Sequence, residues 1–557
     1  MQIIYSQVLA VSARTYVYLA GICGIALACY AASRGVLRRR KPALPPGPPS
    51  RFLLGHYGVV PEDAAFKTYA QWSKQYGMFD WLPRIEVSLL LTKDVAPCSG
   101  SDVLFFETFG TKWIVLNSLE SATELLDKRG SNYADRPRFV MFEEMGWSPT
   151  LTWLRWGSKF QLHRKILQNP FTKTKAAQFA EKQRKEALIF CKGAIDDPGK
   201  WVNSVRRFAV AIMLNIAYGL DVDGPASPWI KMAEDSAAAI GKAGAPGSTI
   251  MDHLPATRHL PDWLPFMERL RYAHAWRFAI ENITRLPFEA SIRKMTKSLD
   301  RKFFTHNRLS VYQENVEKGL PNEFDMEDIK GAAATIVIAG NDTITATLML
   351  FVLYLMQNPE AQRKGQEEVD RVVGKDRLPD WQDIANLEYT NLILQETYRM
   401  NPLSPLGIPH ASIADDVYKG MFIPKGTTVY QNVWAMHHDE SVYSEPFRFW
   451  PERYLPEEQG GRGEPFPVGN FGFGRRICLG RNLAENSLLI VLSTMLATMN
   501  IDWPVGGNGK PTPFEPEWSF RGQATVFPFK ASVTSRSKGS DERLAEAVSA
   551  FSGKKDS

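Results

Sequence analysis

The sequence predicts a mainly α protein with small β-sheets, an α+β fold, preceded by one N-terminal transmembrane helix. Three observations support this prediction. Apolar or amphipathic runs of helical length recur along the chain, most clearly in residues 331–357, 387–403 and 482–499. The stretch SDVLFFETFGTKWIVLNS (101–118) instead has the character of a strand pair. The first 33 residues contain an apolar run long enough to cross a bilayer.

The N-terminal run TYVYLAGICGIALACYAAS (15–33) carries no charged residue. As a helix with a rise of about 1.5 Å per residue, it would span roughly 28 Å, close to the hydrocarbon core of a bilayer. A cleavable signal peptide is the alternative. Basic residues after the run favour an anchor that keeps the downstream domain cytosolic. They are Arg34, Arg38, Arg39, Arg40 and Lys41.

The expected organisation is an anchor in residues 1–33, a basic and proline-rich linker in 34–50, one large domain in 51–534 and a polar tail in 535–557. The linker ends in LPPGPPS, which forms a stiff polyproline-like hinge. We expect the tail to be mobile, although ERLAEAVSAF within it could form a short helix.

Composition argues against two classes of protein. The 66 basic and 60 acidic side chains leave a net charge of +6, which is too small and too local to indicate nucleic-acid binding. The five cysteines, two of them in the anchor, form no disulfide framework and suit a reducing cytosol.

The run FGFGRRICLG (471–480) presents one cysteine, Cys478, in a glycine-rich loop before an apolar helix. Gly472 and Gly474 can take backbone angles that a side chain would forbid, so the loop can turn tightly and approach a flat ligand. Arg476 adds a fixed positive charge, and the helix N-terminus favours the thiolate over the thiol. Such a thiolate could be a metal ligand or a nucleophile, whereas an isolated cysteine is more often a small buried hydrophobe.

The loop also matches the Phe-x-x-Gly-x-Arg-x-Cys-x-Gly haem-binding signature, and in this the chain resembles the cytochrome P450 family. The matching residues are Phe471, Gly474, Arg476, Cys478 and Gly480. The resemblance covers roughly residues 44–534 and implies the P450 fold with haem b (iron protoporphyrin IX) as cofactor. It implies that Cys478 is the axial ligand of the haem iron, that Arg476 pairs with a haem propionate and that Phe471 packs near the sulfur. An anionic sulfur ligand favours O–O cleavage and hence oxygen activation.

Upstream of the loop, Glu396 and Arg399 share one face of an amphipathic run. Alone, such a pair is usually a solvated surface ion pair worth under about 1 kcal/mol, but the apolar neighbours indicate burial. The family joins its Glu-x-x-Arg pair to an arginine of a later segment, and FRFWPERYLP (447–456) supplies Arg453. These three residues are expected to be structural.

The apolar run 331–357 contains a single charge, Asp342. Its length and hydropathy allow a transmembrane helix, but a carboxylate beside Gly340 and Thr343 more often faces a cavity or cofactor. The central helix of the family carries Ala/Gly-Gly-x-Asp/Glu-Thr, and AGNDT matches it. The resemblance implies that Thr343 and Asp342 are catalytic, with Thr343 hydrogen-bonding the oxygen to be activated and Asp342 relaying protons. It also implies that Gly340 lets dioxygen and water reach the helix backbone. One departure is Ile344, where a second hydroxyl residue is common.

Two further segments resemble parts of the family that contact the haem propionates. In WGSKFQLHRKIL, Phe160 replaces the usual tryptophan four residues before Arg164. Because phenylalanine lacks the indole N–H, Arg164, with help from His163, is expected to provide the charge pairing. His410 lies where the family has a basic propionate partner, although a lone histidine is often only a satisfied polar residue.

Between Tyr76 and Ser101 the chain departs from the family pattern. The family passes from a Tyr-Gly pair directly into its first strand, whereas this chain inserts residues 78–100. The insertion is either a functional surface loop or a retained intron. Gly-Met-Phe can be encoded with a GTATGT donor, Leu-Thr with a CTAAC branch site and Cys-Ser with a CAG acceptor.

We therefore expect a single-pass haem-thiolate monooxygenase of the endoplasmic reticulum membrane with a cytosolic domain. It is expected to hydroxylate or otherwise oxidise a hydrophobic small molecule that enters past a lid in residues 243–266. An NADPH-dependent flavoprotein reductase is the expected electron donor, with cytochrome b5 as an optional second donor, because the sequence shows no flavin domain. The pattern is similar to fungal secondary-metabolism P450s. A haem-thiolate isomerase or dehydratase and a non-catalytic haem-binding pseudo-enzyme are the alternatives.

Overall fold

The computed structural model describes most of the chain that follows the predicted anchor and the first part of the predicted linker. The residues described are 42–51, 54–61, 63–76, 100–147, 150–244, 247–295, 303–507, 509–520 and 523–552. The predicted anchor and all of the predicted insertion except Gly100 lie outside them, so both remain predictions.

Helices dominate the described fold, as the apolar periodicity predicts. In chain order the α-helices are α1 (Ala65–Gln75), α2 (Leu119–Ala122), α3 (Val140–Glu144), α4 (Ser158–Gln168), α5 (Lys173–Ala176), α6 (Ala180–Asp196), α7 (Trp201–Tyr218), α8 (Pro228–Ala243), α9 (Ile250–His253), α10 (Glu268–Met295), α11 (Phe304–Glu317), α12 (Met326–Gln357), α13 (Pro359–Val372), α14 (Trp381–Ile384), α15 (Glu388–Met400), α16 (Val433–His437), α17 (Arg481–Thr498) and α18 (Lys538–Ser552).

The strands are short and form small sheets. They are β1 (Val103–Thr108), β2 (Thr111–Leu116), β3 (His410–Ala411), β4 (Asp416–Tyr418), β5 (Met421–Ile423), β6 (Thr428–Gln431), β7 (Met499–Asp502), β8 (Trp518–Ser519), β9 (Thr525–Val526) and β10 (Ser532–Ser535). The largest described sheet has the order β1-β2-β6-β3, and β2 and β6 are parallel. β1 and β2 form the predicted antiparallel strand pair. The pairing of β3 with β6 carries His410 into the interior.

The long helix α12 forms the centre of the core. It begins at a capping box, in which the Asp325 side chain accepts from the amide of Asp328 (2.7 Å) and Asp328 accepts from the amide of Asp325 (3.1 Å). Among the described residues, α12 is the one helix long and apolar enough to cross a membrane, but 67% of its most apolar window is buried inside the protein. The apolar composition of α12 therefore reflects packing against other helices, above all α7.

The C-terminal residues add a helix to this core. Residues 538–552 form α18, which packs on α6, and its Leu544 is fully buried. Arg536, just before the helix, pairs with Asp370 of α13 at 2.8 Å. The helical alternative predicted for ERLAEAVSAF is thus the one observed, and the described part of the tail is attached to the domain.

Candidate functional site

The cysteine loop depends on two glycines with positive φ. Gly472 and Gly474 have φ values of +74° and +54°, which side-chain-bearing residues rarely adopt. A Cβ on Gly474 would lie only 2.0 Å from the carbonyl oxygen of Leu126, and the amide of Gly474 donates to the carboxylate of Asp127. The loop therefore turns as predicted and docks its backbone against a π-helical turn at Thr123–Lys128.

Cys478 lies at the end of this loop, immediately before α17. Its amide donates to the carbonyl of Phe471 at 2.8 Å, and its side chain is exposed, unlike that of the buried Cys191. The surrounding protein desolvates the thiol and raises its pKa, although the amide of Gly480 and the charge of Arg481 oppose the rise. The helix terminus thus favours the thiolate as expected, but in the protein by itself desolvation outweighs this effect. A bound metal cation would have to complete the stabilisation of the anion.

Arg476 is buried with one N–H group unsatisfied. Its Nε donates to the carbonyl of Ala134 (2.6 Å) and its Nη2 to that of Leu154 (2.9 Å), but its buried Nη1 has no hydrogen-bond partner among the residues that the structure describes. The guanidinium lies 3.6 Å from the ring centroid of Phe160. Burial lowers the pKa of Arg476 to about 9, and the charge of Arg164 contributes in the same direction. A buried, incompletely bonded guanidinium is a strong candidate for binding an anion.

A second arginine that the sequence analysis missed lies beside it. Arg136 is buried, and its Nη1 donates to the carbonyls of Ile408 (2.9 Å) and Pro409 (2.8 Å). Burial and the charge of Arg476 hold its pKa well below the ordinary value. Arg136 lies in the segment YADRPR, which carries no recognisable signal, because only the tertiary fold brings it to Arg476.

His410 lies near the two buried arginines, and its imidazole ring is neutral. Its Nδ1 lies 2.8 Å from the carbonyl oxygen of Tyr133, to which it donates when neutral. Burial lowers the pKa of His410 to about 3, and the charge of Arg136 adds to the effect. The structure thus places His410 near Arg136 and Arg476 as a neutral ring whose Nε2 carries the lone pair, and its role as a propionate partner stays a prediction.

Arg164 lies on α4, one turn after Phe160, and its Nη1 donates to the carbonyl of Ile477 at 3.3 Å. His163 is used differently from what we expected. It is fully buried, and its Nε2 lies 2.8 Å from the Asp328 carboxylate at the start of α12. His163 therefore interacts with Asp328, which belongs to the capping box of α12, and does not provide the charge pairing that we expected beside Arg164.

These side chains form what we call the arginine cluster, namely Arg136, Arg164 and Arg476. Among the described residues, the carboxylate that acts on Arg476 and Arg136 is Asp135, and it is already bonded to Arg155. The cluster consequently has an excess of positive charge in a partly dehydrated place, which is unfavourable unless an anion binds there. A haem, with two propionates and an iron that needs an anionic sulfur, fits this arrangement.

Helix α12 presents one accessible face. Ala339 is exposed although its helix is otherwise largely buried, and Thr335 and Thr343 lie one turn before and after it. The Thr343 hydroxyl donates to the Ala339 carbonyl at 2.9 Å, and the Leu151 amide donates to Thr335 Oγ1 at 3.2 Å. This face therefore combines hydroxyl groups with a small residue, as a site for a small ligand requires.

Gly340, next to Ala339, packs against the neighbouring helix α7. A Cβ on Gly340 would lie 2.2 Å from Sδ of Met213 on α7. The missing side chain thus allows α7 and α12 to approach closely. Met213 covers Gly340 in the direction of the missing side chain, and access of dioxygen and water to the helix backbone at Gly340 stays a prediction.

Asp342 is positioned to exchange a proton near neutral pH. Burial raises the pKa of Asp342 to about 6, and a hydrogen bond of 2.9 Å from the Asn341 side chain only partly opposes this shift. A carboxyl with such a pKa is populated in both protonation states under physiological conditions, which suits a group that takes up and passes on protons.

The predicted structural residues meet in a fully buried ion cluster. Arg399 binds Glu396 through Nε (2.8 Å) and Nη2 (2.9 Å), and Arg453 reaches the same carboxylate at 3.1 Å. A fourth member, missed in the sequence, is Glu464, whose Oε2 lies 2.6 Å from Arg453 Nη1. We call Glu396, Arg399, Arg453 and Glu464 the four-charge cluster. Its charges sum to zero.

Comparison with known proteins agrees with this geometry. Residues 100–522 match the family model described as Cytochrome P450. The chain is 32% identical over 515 residues to Cytochrome P450 monooxygenase 98 of Postia placenta, which covers 91% of this chain and 93% of that protein. It is also 32% identical over 490 residues to a tryptamine 4-monooxygenase of Psilocybe cyanescens, with 86% and 90% covered. The chain therefore belongs to the cytochrome P450 family and is a monooxygenase with a haem-thiolate cofactor.

Proposed function

We propose that this P450 inserts one oxygen atom into a C–H bond of a hydrophobic small molecule, in a secondary-metabolite pathway, with haem b as cofactor. The reaction consumes dioxygen, two electrons and two protons and yields an alcohol and water. The observation that carries the proposal is the arginine cluster beside the accessible sulfur of Cys478, because this combination satisfies both charged parts of a haem. An NADPH-dependent flavoprotein reductase, with or without cytochrome b5, would supply the electrons.

Residues of the cysteine loop and of the arginine cluster would hold the two charged parts of the cofactor, its iron and its propionates. Cys478 Sγ would be the iron ligand, which gives the haem its capacity to activate oxygen. The free Nη1 of Arg476 would donate to one propionate, and Arg136 and Arg164 would balance the remaining negative charge. His410 could join them only if a nearby carboxylate raises its pKa enough to protonate Nε2. Phe160 packs its ring face under the Arg476 guanidinium and so helps to orient it.

Asp342 and Thr343 of α12 would take up and deliver the protons that the reaction consumes. The pKa of about 6 allows the Asp342 carboxyl to collect a proton from water and release it again. The Thr343 hydroxyl can donate to a ligand when it turns away from the Ala339 carbonyl that it now contacts. Such proton delivery is needed by a monooxygenase and not by a haem-thiolate isomerase or dehydratase, so this pair favours the former.

A cluster of aromatic side chains beside α12 supports the proposal of a hydrophobic substrate. The Leu151–Thr335 bond holds a loop beside the accessible face of the helix. In the same loop Trp153 contacts Phe142 edge-to-face at 5.0 Å, and Phe142 packs on Phe139 at 4.1 Å. Aromatic side chains offer large apolar contact area to a ligand. One relative is described as acting on tryptamine, which is itself an aromatic compound.

An exposed apolar surface supports contact with a bilayer. Trp263 and Phe266, in the predicted lid, are 70% and 74% exposed. Tyr57 contacts Phe109 at 5.4 Å, and Phe109 contacts His253 at 5.7 Å, so the lid and the start of the domain share one surface. We propose that this surface rests on the endoplasmic reticulum membrane to which the N-terminal segment is anchored. Vesicle flotation of a chain without residues 1–41 should lose efficiency when Trp263 and Phe266 become serine, and an unchanged flotation would contradict the proposal.

The haem-thiolate assignment is tested by the carbon monoxide difference spectrum of the reduced protein. The wild type should show the thiolate-type Soret band, and Cys478→Ser should abolish it. Cys191→Ala removes the buried cysteine of α6 and should leave the band in place. Absence of the band in folded, haem-loaded wild type, or its persistence in Cys478→Ser, would refute the assignment.

A further inference from the structure

The C-terminal end of α1 is completed by residues from much later in the chain. Gln75 is the last residue of α1, and Tyr76 is its C-cap. The amide of Ser101 donates to the carbonyl oxygen of Ser73 at 2.8 Å. In the Schellman motif that ends many helices, this carbonyl, third from the end, is bonded by the amide two positions after the C-cap. Ser101 therefore makes the bond that residue 78 would make in an uninterrupted chain.

Gly100 has the conformation that the same motif requires one position earlier. Its φ is +94°, and the residue directly after the C-cap is characteristically a glycine with positive φ. A Cβ on Gly100 would lie 2.5 Å from the Ser73 carbonyl oxygen, so a larger residue does not fit. Gly100 thus takes the place that belongs to Gly77 in the sequence Tyr76-Gly77. After it, Ser101 leads directly into β1.

We propose that residues 77–99 are not part of the functional fold, and that the mature enzyme runs from Tyr76 through a single glycine into Ser101. Among the described residues, the cap of α1 is built from Tyr76 before this segment and from Gly100 and Ser101 after it.

A retained intron explains this arrangement at the level of codons. An intron that starts after the first base of the Gly77 codon and ends after the first base of the Gly100 codon removes 23 codons and leaves one glycine codon. The GTATGT donor within Gly-Met-Phe has this position, and TCA for Ser99 followed by the first G of Gly100 gives a CAG acceptor. The CAG acceptor that the codons of Cys98 and Ser99 can contain would instead shift the reading frame relative to that donor.

The experiment compares the full chain with a shortened chain in which Tyr76 is joined to Gly100, each with and without Gly100→Val. The shortened chain should fold by circular dichroism, bind haem and unfold at a temperature no lower than the full chain. Gly100→Val should lower the unfolding temperature by about 2–4 °C in both backgrounds, because both contain the same cap. Spliced transcripts should lack the 23 codons.

An insoluble or haem-free shortened chain would overturn the proposal, and so would a Gly100→Val effect confined to one background. Transcripts of the active enzyme that all retain the codons for residues 77–99 would overturn it as well. The proposed chemistry is judged separately, by the carbon monoxide spectrum of the full chain. Failure of one conclusion therefore leaves the other intact.

Discussion

Glu464→Gln removes one charge from the four-charge cluster without changing its size. Glu464 receives three bonds, from Arg453 Nη1 (2.6 Å), the Ser444 amide (2.9 Å) and the Ser444 hydroxyl (2.5 Å). Its side chain is 7% exposed, and that of Arg453 is fully buried. The substitution leaves a net charge of +1 in a buried place, since the two arginines then face only the carboxylate of Glu396.

The magnitude follows from the cost of an uncompensated buried charge. Removing one partner of a buried pair destabilises a protein by about 3–5 kcal/mol. The unfolding entropy is about 2.1 cal/mol/K per residue, or roughly 1.0 kcal/mol/K for a domain of about 480 residues. We therefore expect Glu464→Gln to lower the midpoint of thermal unfolding by about 3–5 °C near neutral pH.

The assay is thermal unfolding of the haem-bound protein, followed by circular dichroism, with Glu445→Gln as control. Glu445 pairs with Arg448 at 3.3 Å, but both side chains are more than half exposed, so the control should change the midpoint by less than about 1 °C. Equal effects of the two substitutions would refute the claim that burial gives Glu464 its importance.

Dependence on pH gives a second check of the same reasoning. Burial raises the pKa of Glu464, but the bonds from Ser444 and Arg453 outweigh burial, and the net pKa is lowered. A carboxylate with a lowered pKa stabilises the fold above its unfolded pKa of about 4.3, and this contribution is lost as the pH falls through the folded pKa. The wild type and Glu464→Gln should therefore converge below about pH 4. A constant difference down to pH 3 would contradict a charge effect.

Three other substitutions test the site. Arg476→Leu should increase the rate of haem transfer to apomyoglobin by about 10- to 100-fold, the equivalent of one charge-assisted bond, whereas the exposed Arg475→Leu should not. Asp342→Asn should lower the coupling between reductant and product, because an amide cannot pass on a proton, and the coupling of this variant should no longer change as the pH of the assay passes through about 6. Since the raised pKa of Asp342 makes its ionised form costly, this variant should also be more stable than wild type at pH 8 and not at pH 4. Gly340→Ala should destabilise by about 1–3 kcal/mol through its clash with Met213, and Met213→Ala should reduce that penalty; normal stability with altered coupling would instead support a route for oxygen at Gly340.

Short local patterns were the predictable part of this molecule. The loop around Cys478 and the pair Glu396 and Arg399 were predictable because spacing within one turn or one helix face fixes their geometry before any tertiary contact forms. The strand pair and α17 followed from hydrophobic periodicity in the same way. These features need only a few neighbouring residues to be recognised.

Residues that act through tertiary contacts were missed or misjudged. Arg136 and Glu464 lie in loops without periodicity, and their importance comes from Arg476 and Arg453, which are distant in sequence. The packing of Gly340 against Met213 was not foreseen, because composition does not tell which side of a helix with apolar residues all round meets a neighbouring helix. These errors share a cause, since one-dimensional patterns do not determine which buried surfaces meet.

The four-charge cluster and the arginine cluster differ in their balance of charge, and this difference indicates different functions. The four-charge cluster contains equal numbers of positive and negative side chains, so the protein itself compensates the cost of burying them, and nothing further needs to bind. The arginine cluster consists of three guanidinium groups, and Nη1 of Arg476 finds no acceptor within the described part of the chain. Folding alone does not compensate this excess of charge, so the protein should gain stability when an anion arrives. We therefore expect haem binding to raise the midpoint of thermal unfolding in wild type by more than in Arg476→Leu, although both retain Cys478. Equal gains in the two proteins would show that the iron–sulfur bond alone accounts for the stabilisation and that the unpaired guanidinium plays no part in it.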